Sequence, residues 1–167
     1  RKLDENRVEH TLIYTDPETG LVVRCAGVEY RDFPTVEWTL YFRNAGPKDS
    51  PILSDILAID TRFERGSAEE FTLYRNKGDN CTADSFEPLK DALPPKSDKR
   101  IANGGGRPTQ FEFPYVNIAA GNEGLIFVLS WAGQWAAQYT RDDANGLRLR
   151  AGQERTHFKL LPGEEVR

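Results

Sequence analysis

Apolar and polar residues alternate along much of the chain, which is the pattern of β-strands. Between Val36 and Arg43, strongly apolar side chains occupy every second position, and polar or amphipathic ones lie between them. A period of two places the two sets on opposite faces of a strand, whereas a helix would mix them. The same pattern predicts further strands at His10–Thr15, Leu21–Tyr30, Ile52–Phe63, Glu70–Tyr74, Phe111–Ile118, Gly124–Trp131, Gln134–Arg141, Leu147–Ala151 and Thr156–Leu161.

Short turn sequences separate these predicted strands. Asp16–Gly20, Asn44–Pro47, Ala120–Gly124 and Asp143–Gly146 are rich in Gly, Pro, Asn and Asp, the residues that turns prefer. The pair Asn145-Gly146 is the strongest hairpin signal in the chain. Strands about ten residues apart, without an amphipathic helix, predict an all-β fold built as a large antiparallel β-sandwich.

Two stretches depart from the regular alternation. Leu125–Leu129 is apolar at every position, which predicts a central strand covered on both faces, with a neighbouring domain as one candidate cover. The segment from about 75 to 108 carries four prolines and a triple glycine and has only scattered apolar residues, which predicts one long irregular loop region. Such connections are commonly mobile or functional, and the polar group Arg75-Asn76-Lys77 with Asp84 favours a functional one.

Composition and charge exclude several classes of partner. The 22 Lys and Arg residues against 26 Asp and Glu residues give a net charge of −4, and no basic cluster exceeds two residues. This distribution predicts no nucleic-acid binding and no attraction to an anionic membrane surface. The longest strongly apolar run is five residues, far below the roughly 20 that span a bilayer.

No motif for a metal or cofactor is present, so we expect neither. His10 and His157 are isolated, and the chain has no phosphate loop, dinucleotide fingerprint or nucleophile elbow. Cys25 and Cys81 are predicted to be two buried thiols, or a single disulfide if the protein is exported. The compartment, bacterial cytoplasm or exported, stays open on these residues.

Both ends of the sequence indicate a piece of a longer protein. The chain begins Arg1-Lys2-Leu3-Asp4 without Met, and Glu165-Val166-Arg167 begins a new element after a turn. We therefore expect residues 1–167 to form a single β-sandwich domain of a larger protein.

A tryptophan pair is the most distinctive local feature. Trp131 and Trp135 flank Gly133-Gln134, and exposed indoles beside an amide suit the apolar face and the hydroxyls of a pyranose. The alternative is that both indoles fill the core at a strand turn, because Trp is highly buried on average.

Motifs spread over the chain resemble a known family. These are Tyr41-Phe42-Arg43-Asn44, Tyr74-Arg75-Asn76-Lys77-Gly78, Gly105-Gly106-Arg107-Pro108, Phe113-Pro114-Tyr115-Val116-Asn117, Trp131-Ala132-Gly133-Gln134-Trp135-Ala136-Ala137, Arg141-Asp142, Arg150-Ala151-Gly152-Gln153-Glu154, Thr156-His157-Phe158 and Pro162-Gly163-Glu164-Glu165-Val166-Arg167. In this order they resemble the N-terminal domain of bacterial alpha-galactosidase-like proteins of glycoside hydrolase family 36.

The resemblance implies a β-supersandwich followed in the full protein by a (β/α)8 barrel and a small C-terminal sheet domain. In that family the two aspartates of a retaining mechanism belong to the barrel, so no carboxylate here is assigned a catalytic role. The N-terminal domain packs over the barrel mouth, and its loops help to wall the sugar pocket or contact a neighbouring subunit of a homo-oligomer. By this analogy the candidate substrate-binding residues are Trp131, Gln134, Trp135, Arg75, Asn76, Cys81 and Asp84.

Three functions follow as hypotheses. The first is an accessory domain of an α-galactosidase-type hydrolase, inactive alone, whose ligand is a galactoside or a related oligosaccharide; an N-acetylgalactosaminide fits the same architecture. The second is a free-standing carbohydrate-binding module with Trp131 and Trp135 as its platform. The third is a structural or subunit-docking sandwich.

Overall fold

The computed structural model describes residues Arg1–Arg167 and contains strands but no helix. The strands are β1 (Arg7–Thr15), β2 (Leu21–Tyr30), β3 (Thr35–Asn44), β4 (Leu53–Ser54), β5 (Leu57–Glu64), β6 (Thr72–Lys77), β7 (Pro88–Ala92), β8 (Asp98–Ala102), β9 (Glu112–Ala120), β10 (Glu123–Val128), β11 (Trp135–Arg141), β12 (Gly146–Gln153), β13 (His157–Phe158) and β14 (Glu165–Val166). Every ladder between them is antiparallel. The predicted all-β, sandwich-like fold is confirmed, and no helix could cross a bilayer.

The chain divides into two compact units. Unit 1 comprises residues 1–54 and 157–167, and it contains the sheet β1-β2-β3-β14 and the small pair β13-β4. One face of its larger sheet is apolar, since Leu12, Cys25 and Leu40 lie opposite one another across three strands. Near the end of β3, the buried Asn44 side chain donates to the carbonyl oxygen of Leu160 at 2.9 Å and so fixes the C-terminal segment.

Unit 2, residues 55–156, is a sandwich of two four-stranded sheets. The first sheet has the order β10-β9-β6-β7 and the second has the order β5-β12-β11-β8. Alternate side chains of both sheets form one core, whose members include Phe71, Leu73, Val116, Ile118, Trp135, Tyr139, Leu147 and Leu149. Full burial of a large aliphatic or aromatic side chain stabilises a fold by about 1.5–3 kcal/mol, so this shared core holds the two sheets together.

The expected irregular segment, about 75 to 108, contains two strands that the apolar pattern missed. They are β7 and β8, and their inward positions include Asp91 and Lys99 instead of apolar residues. The Lys99 ammonium lies 2.7 Å from an Asp91 carboxylate oxygen, so these charges are paired. A charged pair that faces the interior of a sandwich gives no hydrophobic alternation, which explains why the prediction failed here.

The expected central position of Leu125–Leu129 is also wrong. Strand β10 pairs only with β9 and lies at the edge of its sheet. Phe127 and Leu129 contact the core, whereas Ile126 on the opposite face is 71% exposed. The apolar run therefore reflects one covered face and one exposed face.

Two predicted strands are shorter than expected. The stretch Ile52–Phe63 is divided into β4 and β5, because Asp55 has a positive φ of 51° that interrupts the extended backbone. In the stretch Thr156–Leu161 only the two residues of β13 pair as a strand.

Candidate functional site

Three connections meet at one end of unit 2, and we call them the loop cluster. They are residues 78–87 between β6 and β7, residues 103–111 between β8 and β9, and residues 129–134 between β10 and β11. The Asp79 amide donates to the carbonyl oxygen of Thr109 at 2.6 Å, which joins the first two connections. The Trp135 indole nitrogen donates to the carbonyl oxygen of Pro108 at 2.7 Å, so the start of β11 is tied to the second connection.

Asn103 organises the loop cluster from beneath. Its side chain is fully buried, and its amide nitrogen donates to the carbonyl oxygens of Gly105 (2.9 Å), Arg107 (2.6 Å) and Gly133 (3.3 Å). Its amide oxygen accepts a hydrogen bond from the Trp135 backbone at 2.9 Å. One side chain thus holds the triple-glycine loop and the tryptophan turn together. Asn103 was not among the predicted site residues, although its position just before three glycines was a usable signal.

The two tryptophans have different environments. Trp135 is 1% exposed and lies in the core, so the core alternative is right for this residue and a platform made of both indoles is excluded. Trp131 is partly buried against the same core and keeps part of its surface accessible. Its indole nitrogen lies beside Gly133, where an added Cβ would approach it to 2.8 Å.

Gln134 lies three positions after Trp131 in the same connection, and its side chain is already engaged. Its side-chain nitrogen donates to Glu154 Oε2 at 2.6 Å, and Glu154 also accepts a hydrogen bond from Arg100. Burial raises the pKa of Glu154, but the hydrogen bonds from Arg100 and Gln134 outweigh it and leave the pKa below its usual value.

Arg75 does not reach the loop cluster surface. Its guanidinium lies inside the sandwich, 2.5 Å from Asp91 Oδ2 and 2.5 Å from Glu112 Oε2. Burial raises the pKa of Glu112 despite this contact, whereas the hydrogen bonds from Lys99 and Arg75 outweigh burial and lower the pKa of Asp91. Arg75 is thus paired with two carboxylates within unit 2, and the structure does not bring it together with the other predicted residues.

The Arg75 charge acts on an unpaired hydroxyl of the core. The Tyr139 hydroxyl is buried and has no hydrogen-bond partner, and burial raises its pKa despite the opposing charge of Arg75. A buried orphan hydroxyl of this kind costs about 1–3 kcal/mol.

The other predicted residues lie in or beside the first connection. The Asn76 side chain donates to the carbonyl oxygen of Phe86 at 2.9 Å and supports the loop from the end of β6. Asp84 accepts hydrogen bonds from Lys77 Nζ at 2.8 Å and from the Thr82 hydroxyl at 2.5 Å. These contacts lower the pKa of Asp84 to about 2.

Neither cysteine is in a disulfide. Cys81 is exposed on the first connection, so the expectation of two buried thiols fails for it. Cys25 lies on β2 in unit 1, where partial burial raises the pKa of its thiol.

The loop cluster contains three of the six non-glycine residues with a positive φ. Cys81, Phe86 and Phe111 have φ values of 56°, 64° and 60°, in the left-handed region that non-glycine residues rarely adopt. Each such residue costs of order 1 kcal/mol, and strained residues concentrate at functional sites. The loop cluster is therefore the strongest candidate site in unit 2.

Two other features were compared with this site. An open concavity of about 520 Å³ is lined by Asp4, Glu5, Asn6, Arg7, Tyr30 and Asp32, all in unit 1, and none of the candidate residues contributes to it. No group of three or more His, Cys, Asp or Glu side chains is arranged to hold a metal ion.

Comparisons with known proteins find similarity in structure. No protein-family model matches the chain, and no curated protein matches its sequence significantly. The GH36 alpha-galactosidase AgaA from Geobacillus stearothermophilus matches 97% of this chain with a TM-score of 0.80 and 16% identity. The alpha-galactosidase from Lactobacillus brevis matches 98% with a TM-score of 0.80 and 14% identity. The galactosidase domain of the alpha-galactosidase-sucrose kinase AgaSK matches 97% with a TM-score of 0.76 and 14% identity.

The matched region is a small part of each solved protein. The chain spans 23% of AgaA, 22% of the Lactobacillus brevis protein and 23% of the AgaSK chain. The resemblance to glycoside hydrolase family 36 is confirmed at the level of fold: this chain has the fold of a segment that makes up less than a quarter of such α-galactosidases.

Proposed function

We propose that the chain is an accessory β-sandwich domain, residues 1–167, of an α-galactosidase-type glycoside hydrolase. It packs on a (β/α)8 catalytic barrel that is not part of this chain, and it has no hydrolase activity alone. The retaining chemistry belongs to two aspartates of that barrel.

One observation carries this proposal. Nearly the whole chain superposes on three α-galactosidase structures, yet it accounts for less than a quarter of each. A segment of that size beside a much larger remainder fits an accessory role better than a complete catalytic unit.

The loop cluster supports a position for the sugar. We propose that it helps to wall the sugar pocket, with Trp131 as an apolar wall and with Gln134 and Asp84 as polar groups of the same loop cluster. Asn76 and the exposed Cys81 take part through the first connection. Arg75 and Trp135 act beneath this surface, because both are engaged inside unit 2.

The proposed ligand is a galactoside or a related oligosaccharide. Variants of AgaA have been solved in complex with stachyose and with raffinose. The same architecture would accept an N-acetylgalactosaminide. The alternative of a free-standing carbohydrate-binding module has less support, because burial of Trp135 leaves only one indole for a platform.

The first test is an assay of an aryl α-galactoside with the 167-residue chain and with the intact gene product. We expect no turnover by the chain, and turnover with retention of anomeric configuration by the intact product. Hydrolysis by the purified chain, or an intact product without glycosidase activity, would reject the proposal.

The second test concerns Trp131. In the intact product, Trp131→Ala should raise KM for a galactosyl trisaccharide about tenfold, because loss of an aromatic wall costs about 1–1.5 kcal/mol. Phe33→Ala is the matched control, since Phe33 is an exposed aromatic residue of unit 1. An unchanged KM in the Trp131 variant would exclude this residue from the pocket.

A further inference from the structure

The outer face of the first sheet of unit 2 carries an exposed apolar surface, which we call the aromatic face. Its members are Tyr74, Phe86, Phe113, Tyr115, Ile126 and Val128. The register places Val128 directly opposite Tyr115, and Ile126 in the neighbouring row. Ile126 is 71% exposed and Tyr115 is 50% exposed, so the surface is open in this chain.

The rings of the aromatic face are already packed against one another. Phe86 meets Phe113 edge to face with 5.8 Å between centroids, and Phe113 stacks on Tyr115 at 5.2 Å. The Lys90 ammonium lies 5.3 Å from the centre of the Tyr74 ring. A pyranose stacks on a free ring face, and these contacts already engage part of the ring surface of Phe113, Tyr115 and Tyr74. The exposed surface also includes the aliphatic side chains of Ile126 and Val128, which suit the apolar surface of a protein better than a sugar.

Charge is distributed around the aromatic face as it is around a protein interface. No ionisable side chain except the weakly acidic Tyr115 phenol lies in the row that contains Tyr115 and Val128. The charged groups lie at its margin: Lys77 pairs with both Asp84 and Glu87, and Lys90 of the edge strand β7 contacts the Tyr74 ring. A centre without charge and a charged rim are the arrangement found in stable interfaces.

The aromatic face is continuous with the loop cluster. Phe86 belongs to the connection 78–87 and also packs on Phe113 of β9. A body that meets the loop cluster therefore covers Phe86 and reaches the neighbouring rings. Since structures of this fold have more than three quarters of their length outside the matched region, that body can be part of the same polypeptide.

We propose that the aromatic face is the docking surface for the catalytic domain of the same polypeptide. This inference rests on the proposed function. The inference specifies the surface that the catalytic domain would bury, namely the outer face of β10, β9 and β6 next to the loop cluster.

Carbene footprinting of the intact gene product and of the 167-residue chain tests this docking surface. We expect labelling of Tyr115 and Ile126 to fall about fivefold or more in the intact product, because burial removes most of their exposed area. Ile13 is the internal reference: it is a 62% exposed isoleucine on β1, the edge strand of unit 1, and its labelling should not change.

A matched pair of variants completes the test. In the intact product, Ile126→Arg should restore labelling of Tyr115, whereas Ile13→Arg should not. Urea unfolding of both variants in the 167-residue chain should match the unchanged chain, since both sites are exposed. If Ile126→Arg unfolds the chain, Val128→Ser replaces it as the variant for the same readout.

Three results would overturn the docking proposal. Equal labelling in the two proteins would show that the face stays open. Protection that increases with protein concentration in the 167-residue chain would assign the face to a second copy. Protection of that chain by stachyose would assign it to a sugar.

An activity assay on the same samples separates this proposal from the proposed function. Galactosidase turnover with an unprotected aromatic face rejects the docking surface alone. Protection without turnover rejects the proposed function alone.

Discussion

Asn103 illustrates how a single buried amide can position several backbone segments. Its four hydrogen bonds reach the triple-glycine loop, the tryptophan turn and the start of β11. A loop with three consecutive glycines has high conformational entropy when free, so fixed anchors are needed to give it one shape.

Asn103→Ala should lower the free energy of unfolding by about 2–4 kcal/mol, because it leaves the buried Trp135 amide and several carbonyl groups without partners. Urea denaturation of the 167-residue chain measures this difference. Asn117→Ala, at an exposed asparagine of β9, is the control and should change stability by less than about 0.5 kcal/mol. Equal effects of the two variants would contradict the anchoring role.

Asp142 provides a pH-dependent prediction. It accepts hydrogen bonds from Arg62 at 2.7 Å and from the backbone of Gly146 and Ala144, and these lower its pKa from 3.8 to about 2. Between these two values the unfolded chain binds more protons than the folded chain, so this group's contribution to stability is lost as pH falls from about 4 to about 2.

Asp142→Asn should therefore reduce the slope of unfolding free energy against pH in this window. Thermal unfolding followed at several pH values gives the slope. Asp143→Asn, at the more exposed neighbouring carboxyl, is the control and should leave the slope nearly unchanged. A slope that is the same in the Asp142 variant and in the unchanged chain would refute the assignment.

The limits of residue-level prediction are visible in the candidate site. Sequence pattern singled out Trp131, Asn76 and Asp84 because aromatic and polar clusters in turns are local signals, and the structure places them in or beside the loop cluster. The pattern did not distinguish Trp131 from Trp135, or the inward-pointing Arg75 from Asn76 beside the first connection, because the direction of a side chain depends on the strand register. Asn103 was missed for the same reason, since its partners lie up to 32 positions away along the chain.

At the scale of elements, alternation predicted strands well where one face is apolar. Strands β2 and β3 lie close to their expected bounds. Strands β7 and β8 were missed because their inward positions hold a paired aspartate and lysine, and β10 was placed in the wrong part of its sheet. An apolar run indicates that a strand is buried. It does not indicate whether the residues that bury it belong to the same chain.

The bulge in β12 gives a prediction at this scale. The register of β12 on β5 shifts between Ala151 and Gly152, and a Cβ at Gly152 would lie 2.0 Å from the Ile56 carbonyl oxygen. Gly152→Ala should therefore lower the free energy of unfolding by about 1–3 kcal/mol or more, because the backbone must move. Gly106→Ala, where nothing lies within 4 Å of the added carbon, should be nearly neutral. A neutral Gly152 variant in urea denaturation would contradict the close approach.

At the scale of the whole molecule, the fold and the position of the loop cluster both support the proposed accessory domain. The chain has the fold of a minor segment of α-galactosidases, and unit 2 presents strained, well-anchored loops beside an exposed aromatic face. The all-β fold class followed from the alternation of apolar and polar residues. The division into sheets and the geometry of the site depend on how the strands pair, which the sequence pattern does not reveal.

Hydrogen exchange of the intact gene product, with and without galactose, tests the central claim most directly. We expect slower exchange of the amides in 104–109 and 131–134 when the sugar is bound, because in the proposed function the loop cluster forms part of the pocket wall. Unchanged exchange in both segments, in a sample where galactose slows exchange elsewhere in the protein, would contradict it.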